Sequence, residues 1–178
     1  MLRIETQLLI MLFQDCLDMR FLFQHELDIS KLNEYKYNYA LYADDAFLHN
    51  DIGFAKFYIL DEFDNFIIEF ESTILDVILT LSSNHASVKS GTIAKGCLFY
   101  KNSEWDVIFS FVYNNENITI NFCNGKQIFI PYNRFYNSIY ELAVISLDFL
   151  EYFYSGLNEN DHYIKMRQSI FQDLKDAR

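Results

Sequence analysis

The chain has 178 residues, of which 51% are hydrophobic and 18% aromatic, so a folded domain with a large apolar core is expected and disorder is excluded for most of its length. Its net charge of −11 is unevenly distributed, because residues 1–90 carry 15 acidic against 6 basic side chains and residues 91–178 carry 10 against 8. A field of this sign repels nucleic acid and anionic membranes and favours a basic partner.

Composition also limits the kind of protein. No stretch approaches the roughly 18 consecutive apolar residues of a membrane span, and the N-terminal apolar run is a poor secretory signal. The three cysteines are widely spaced, form no CxxC pair, and predict neither a disulfide framework nor a zinc site. Cys97 and Cys123 alternate with apolar residues and are expected in the core. We therefore expect one cytoplasmic domain, residues 1–178, without a cofactor or a metal.

The first 27 residues fit two structures. Apolar residues alternate with polar ones from Leu2 to Leu12 and again from Met19 to Phe23, which favours a hairpin ending near Leu27. A helix stays open as the alternative, because apolar residues also recur every three or four positions in this segment.

A tyrosine-rich segment precedes the most acidic part of the chain. Tyr35, Tyr37 and Tyr39 alternate with other residues and predict a short strand, and the polar run DDAFLHNDIG after it predicts a surface loop. Residues 54–60 and 66–70 flank DEFDN and predict a hairpin. Its turn is predicted to project three carboxylates into water: Asp61, Glu62 and Asp64.

The middle of the chain predicts a short helix and then a sheet. Thr73 and Asp76 have the spacing of a capping box, and the apolar pattern after them predicts a helix over residues 73–83, closed by the polar loop SSNHASVKSG. Four β-type segments between Lys95 and Ile130, CLFY, WDVIFSFVY, NITINFC and QIFI, are separated by polar turns. They predict a consecutive antiparallel meander.

Two helices are predicted beyond Pro131. Apolar residues recur every three or four positions up to Phe153, so a long helix beginning near Asn133 and capped at Gly156 is expected to cover the sheet. On this helix Phe135, Leu142 and Phe149 should be buried, and Glu141, Asp148 and Glu151 exposed. A final helix should bury Tyr163, Met166, Ile170 and Leu174. The predicted fold class is α+β, with an antiparallel meander packed against the long helix and two N-terminal hairpins as candidate additions to the sheet.

The sequence carries no catalytic signature. The four histidines have no metal-ligand spacing, no glycine-rich phosphate loop occurs, and the serines near His85 lack the GxSxG elbow of a nucleophile. His49 lies beside Asp45 and Asp51, but a solvated acidic loop explains this grouping better than acid–base chemistry does. We predict no enzyme, and an enzyme of unrecognised type remains only as a third hypothesis.

The segment from Asp44 to Asp76 holds nine carboxylates and a single cation, Lys56. It fits either a solubilising surface or a docking face, and the self-repulsion of so many carboxylates favours a basic partner. Tyrosines near it are residues of the kind that anchor interfaces. The candidate partner-binding residues are Asp44, Asp45, Asp51, Asp61, Glu62, Asp64, Tyr37, Tyr39 and Tyr42.

Four features of the chain occur together: the meander WDVIFSFVYNNENITINFCNGKQIFI, the helix PYNRFYNSIYELAVISLDFLEYF after it, the acidic surface and the lack of an active-site motif. In these features the chain resembles the small immunity proteins of bacterial contact-dependent growth inhibition and other polymorphic toxin systems. The resemblance implies a bacterial cytoplasmic protein that binds one cognate toxin domain, often a basic nuclease, and blocks its active site or substrate path.

Our leading hypothesis from the sequence is a non-catalytic immunity protein, a monomer that forms a 1:1 complex with a basic toxin, an RNase or a DNase, and covers its active site with the acidic surface. The alternative is an adaptor or chaperone-like module that binds a peptide at a sheet edge or an apolar groove.

Overall fold

The computed structural model describes residues 6–10, 19–27, 48, 52–63, 65–100 and 106–178. Over these ranges the chain forms eight strands, three α-helices and one short 3-10 turn. In chain order they are β1 (Thr6–Ile10), β2 (Met19–Leu27), β3 (Phe54–Asp61), β4 (Phe66–Thr73), α1 (Ile74–Lys89), β5 (Gly96–Phe99), β6 (Val107–Asn114), β7 (Asn117–Phe122), β8 (Gln127–Pro131), α2 (Tyr132–Phe153), the 3-10 turn (Ser155–Glu159) and α3 (Asp161–Asp176).

The strands form two antiparallel sheets, each with its strands in chain order, β1-β2-β3-β4 and β5-β6-β7-β8. The second sheet is the predicted meander, so the α+β prediction is confirmed. In the first sheet β1 pairs antiparallel with β2, with Thr6 opposite Leu27, so the N-terminal segment is a hairpin in its described residues and the helix alternative is wrong. The predicted hairpin of residues 54–60 and 66–70 is also confirmed, as β3 and β4.

Helix α2 packs on both sheets. Towards its C-terminal end the ring centroids of Phe149 and Phe23 of β2 lie 5.5 Å apart, and near its start those of Phe135 and Phe111 of β6 lie 5.0 Å apart. All four rings belong to one contiguous apolar core that includes residues of both sheets. The expected burial of Phe135, Leu142 and Phe149 is therefore confirmed. The four residues of the α3 apolar stripe are buried as expected: Tyr163, Met166, Ile170 and Leu174.

The outer side of α2 differs from expectation at two carboxylates. Asp148 is exposed as predicted, but Glu141 and Glu151 are half-buried. Glu151 turns towards α3, where its carboxylate accepts a hydrogen bond of 2.9 Å from the Tyr163 hydroxyl and pairs with Arg167 Nε at 2.8 Å. Nothing in the sequence pattern predicts this contact between helices.

Two predicted element boundaries are also wrong. Helix α2 ends at Phe153, and Gly156 is buried inside the following 3-10 turn instead of capping the helix. Helix α1 continues to Lys89 through the segment predicted as a polar loop. The polar side chains are accommodated because Ser82 Oγ donates to Leu79 O at 3.1 Å, and Asn84 Nδ2 donates to the carbonyls of Thr80 and Cys97.

Several sequence-based expectations fall outside the described residues. These are the strand at Tyr35, Tyr37 and Tyr39 and most of the acidic loop after it. The assignment of residues 1–178 to a single domain stays a prediction.

We expect that Gly96→Ala destabilises the fold, because a Cβ at this buried position would lie 2.3 to 2.7 Å from three ring atoms of Phe111. Phe111 is itself fully buried against Phe135, so the ring has little room to move. Overpacking of this kind costs roughly 1–3 kcal/mol. Urea unfolding measures the effect as a lower midpoint with an unchanged slope. The exposed neighbour Lys95→Ala is the matched control, and equal stability of the two variants would contradict the packing.

Candidate functional site

Two of the nine residues predicted to bind a partner are among the described residues. Asp61 and Glu62 lie at the tip of the β3–β4 hairpin, where Asp61 is the last residue of β3 and Glu62 begins the turn. The other seven lie outside the described residues: Asp44, Asp45, Asp51, Asp64, Tyr37, Tyr39 and Tyr42. The candidate site is therefore built around this hairpin tip.

The carboxylate of Asp61 is bonded on several sides. Oδ1 accepts hydrogen bonds of 3.0 Å from the backbone amides of Phe63 and Asn65, so the side chain closes the turn. Oδ2 lies 3.0 Å from Nζ of Lys126, which lies between β7 and β8 of the other sheet, directly before β8. The side chain is only 17% exposed. The prediction that Asp61 projects into water is therefore wrong, and Glu62, which is exposed, fulfils it.

These contacts control the ionisation of Asp61. Partial burial alone would raise the pKa of its carboxyl, but the hydrogen bond from Lys126 and those from the Asn65 and Phe63 amides outweigh this effect and hold the pKa at about 2. Asp61 therefore stays ionised over the physiological range, with its charge directed into the contact with Lys126.

A second hydrogen bond joins the same two hairpins. Asn124 Nδ2 donates to the carbonyl of Ile67 on β4 at 2.8 Å. Asn124 and Gly125 lie in the turn of this hairpin, with Gly125 in the left-handed region at φ +85°. The tip of β3–β4 and the turn of β7–β8 thus meet at a junction fixed by Asp61–Lys126 and Asn124–Ile67.

The three most exposed phenylalanines of the described residues each lie within three positions of a residue that forms this junction. Phe63 is 74% exposed, Phe129 67% and Phe66 55%. Phe63 lies two residues from Asp61, Phe66 lies next to Ile67, and Phe129 lies three residues from Lys126. Single exposed apolar residues need no explanation, but three large exposed rings on two hairpins that meet make this region the candidate site.

Carboxylates border these rings. Glu62 is exposed at the hairpin tip, and Glu69 and Glu71 are exposed along β4. Glu69 pairs with Nζ of Lys56 at 3.0 Å. Tyr58, which lies opposite Glu69 in the register, faces Phe66 edge-on with 6.5 Å between ring centroids. We call the set Glu62, Phe63, Phe66, Glu69, Glu71 and Phe129 the junction surface. It combines apolar rings with a negative rim.

Sequence reasoning missed the phenylalanines of this surface. Phe63 stands between carboxylates in the segment predicted as a turn, and that position alone would have indicated an exposed ring. Phe129 alternates with Ile128 and Ile130, so its side chain was certain to point away from theirs. The hairpins that carry them meet through the contact between Asp61 and Lys126, which are 65 positions apart and give no local signal.

The two histidines that the structure describes as buried take part in packing. His25 lies with Nδ1 at 2.7 Å from Phe54 O and Nε2 at 2.9 Å from the Tyr154 hydroxyl. His85 lies within α1, not in a loop, and its ring stacks on Tyr132 with 5.0 Å between centroids. Burial first, and then the charge of Lys89, lower the pKa of His85 to about 4, so its imidazole is neutral at pH 7.

The two described cysteines differ in their exposure. Cys97 is half-buried, whereas Cys123 is exposed in the turn after β7, so the expectation that both lie in the core is wrong for Cys123. Within the residues that the structure describes, no group of three or more His, Cys, Asp or Glu side chains is placed to hold a metal ion.

Comparisons with protein-family models, with curated proteins and with solved structures find no match to this chain. Among the helices that the structure describes, none has the length and apolar character needed to cross a bilayer.

We expect that Asp61→Asn lowers stability by about 1 kcal/mol at neutral pH, because the ion pair with Lys126 is lost while the amide oxygen can still accept from the turn. The folded-state pKa of Asp61, about 2, lies below its ordinary value of 3.8, so the stabilisation is present above pH 4 and is lost as the pH falls through 2. Denaturant unfolding at a series of pH values measures this. Glu62→Gln in the same turn is the control, and a stability difference for Asp61→Asn that does not shrink below pH 4 would contradict the account.

Proposed function

We propose that this protein is a bacterial immunity protein, a stoichiometric inhibitor without catalysis that binds one basic toxin domain through the junction surface. The observation that carries the proposal is the exposure of Phe63, Phe66 and Phe129, all more than half exposed, on the two hairpins that meet at a junction bordered by carboxylates. Such a surface combines two properties that a tight complex needs, namely apolar area to bury and a charge that attracts the partner.

The rings supply the apolar part of the interface. Phenylalanine is among the residues enriched at interface centres, and energetic anchors cluster where water is excluded on binding. Phe63 and Phe66 stand on one hairpin and Phe129 on another, so a partner that covers all three must span the junction. The Asp61–Lys126 pair holds these hairpins in place before binding, which lowers the conformational cost of association.

The carboxylates supply steering. The described rim of the junction surface holds Glu62, Glu69 and Glu71, and the whole chain carries a net charge of −11. A cationic nuclease cleft, which normally receives nucleic-acid phosphates, is a surface of complementary charge. Binding there would place the acidic rim where the substrate phosphates lie and block access to the active site. Asp61 has a positioning role, since its carboxylate is already bonded within the fold.

The proposal places the protein in the bacterial cytoplasm, where the toxin would act, as a monomer that forms a 1:1 complex. Protection requires capture of the toxin before it acts, so the dissociation constant should be nanomolar or lower, equivalent to about −12 kcal/mol. The toxin domain is expected to be encoded by the reading frame adjacent to the gene for this chain.

We expect that co-expression of this chain with the neighbouring toxin domain restores growth, and that Glu62→Lys combined with Glu71→Lys abolishes the protection. Both side chains are exposed, so their reversal should leave the fold intact while repelling a basic partner. Phe63→Ala should weaken binding by about 2 kcal/mol, close to thirtyfold, because it removes a central apolar anchor. Growth curves and titration calorimetry give the two readouts.

The matched control reverses two exposed carboxylates away from the junction surface, Asp148→Lys with Glu159→Lys, and changes the net charge by the same amount. This control should still protect. Equal loss from both pairs would show that only the total charge matters and would contradict a defined docking face. A neighbouring gene product that is harmless to the cell would contradict the immunity function itself.

A further inference from the structure

The edges of the two sheets are protected unequally. On β5 the carbonyl of Cys97 accepts a hydrogen bond of 3.2 Å from Asn84 of α1. On β4 the carbonyl of Ile67 is capped by Asn124, and the exposed Glu69 and Glu71 place charges along the rest of the strand. Capping side chains and charges are the devices that prevent another strand from pairing with a sheet edge. Strand β8 is the edge of its sheet, and among the described residues no capping side chain bonds to it and none of its own side chains is charged.

The register of β7 with β8 defines which backbone groups of β8 are available. Phe122 N donates to Lys126 O at 2.9 Å, and Tyr132 N donates to Glu116 O at 2.8 Å, so these are hydrogen-bonded pairs. Because such pairs alternate along an antiparallel ladder, Ile128 and Ile130 also bond to β7. The N–H and C=O groups of Gln127 and Phe129 therefore point away from β7.

These outward groups have no partner in the described part of the chain. Gln127 and Phe129 are both exposed, and neither side chain is charged. Pro131 at the end of the strand offers a carbonyl but no N–H. The open edge thus presents two donors and three acceptors in strand geometry, next to the exposed ring of Phe129.

We propose that this edge of β8 receives an extended segment of the basic partner as an added antiparallel or parallel strand. The inference rests on the proposed function for the identity of the partner, and it adds the mode of binding. Main-chain hydrogen bonds to Gln127 and Phe129 would extend the sheet, while the ring of Phe129 would pack on a side chain of the incoming strand.

Charge identifies the occupant. Glu62 is exposed beside the Asp61–Lys126 pair near the start of β8, and Glu116 is exposed at the other end, where its carbonyl bonds to Tyr132. A segment with basic residues flanking its extended part therefore fits the edge. A second copy of this chain does not, because two molecules of charge −11 would meet there.

Substitution with proline tests the backbone directly. Phe129→Pro removes the outward N–H and the ring, whereas Phe129→Ala removes the ring alone. The difference in peptide affinity between the two variants therefore reports the contribution of the hydrogen bond from this N–H. Gln127→Pro and Gln127→Ala form a second pair at the first residue of the strand, where proline is tolerated at an edge. None of these changes removes a donor that bonds to β7. Heteronuclear NMR spectra establish that each variant is folded.

The probe is a capped synthetic peptide of alternating threonine and valine with two lysines at each end, titrated into the labelled protein. We expect saturable shifts of the Gln127 and Phe129 amides and an affinity about three- to tenfold lower for each proline variant than for its alanine control. The same peptide with every threonine and valine N-methylated should bind more weakly, because neither of its edges can donate to β8.

Shifts located elsewhere, or no shift up to about 1 mM peptide, would overturn strand addition. Shifts of these amides that depend on protein concentration alone would assign the edge to a second copy and also overturn it. Since this titration contains no toxin, its failure leaves the growth-protection result to decide the proposed function separately. If the chain fails to protect against the toxin while the peptide still binds, the proposed function is wrong and strand addition at the edge of β8 stands.

Discussion

The packing of helix α2 across both sheets is the constraint on which the rest of the structure depends. Its C-terminal half contacts β2 through Phe149 and Phe23, and its N-terminal half contacts β6 through Phe135 and Phe111. Between them Ser138 Oγ donates to the carbonyl of Met19 at 3.2 Å in the core. Two four-stranded sheets that share no ladder are thereby fixed relative to each other.

The junction surface is a consequence of this arrangement. With the sheets held by α2, the β3–β4 tip meets the β7–β8 turn, and Asp61 and Asn124 complete the contact with charge and amide hydrogen bonds. The carboxylate at the centre of the acidic segment is therefore bonded within the fold. What remains outward is Glu62 and the rings of Phe63, Phe66 and Phe129, which give the surface its apolar centre and its negative border.

The sequence predicted what depends on local periodicity. The alternation in residues 95–130 and the helical spacing up to Phe153 were sufficient for the meander and for the helix that covers it. The predicted extent of α1 was wrong because Ser82, Asn84 and His85 are residue types common in loops. In the structure, packing and a hydrogen bond to β5 outweigh their low helix propensity. Pairings of distant residues, such as Asp61 with Lys126, leave no periodic trace.

The central claim is that a negative, partly apolar surface captures a basic protein domain. The most direct measurement is the association rate constant of the purified chain with the proposed toxin domain, followed by stopped flow from about 50 to about 500 mM salt, over which the Debye length shortens severalfold. The account predicts that association slows by at least about tenfold while the dissociation rate changes little, because steering acts on the encounter and the buried rings hold the complex. An association rate independent of salt would contradict it.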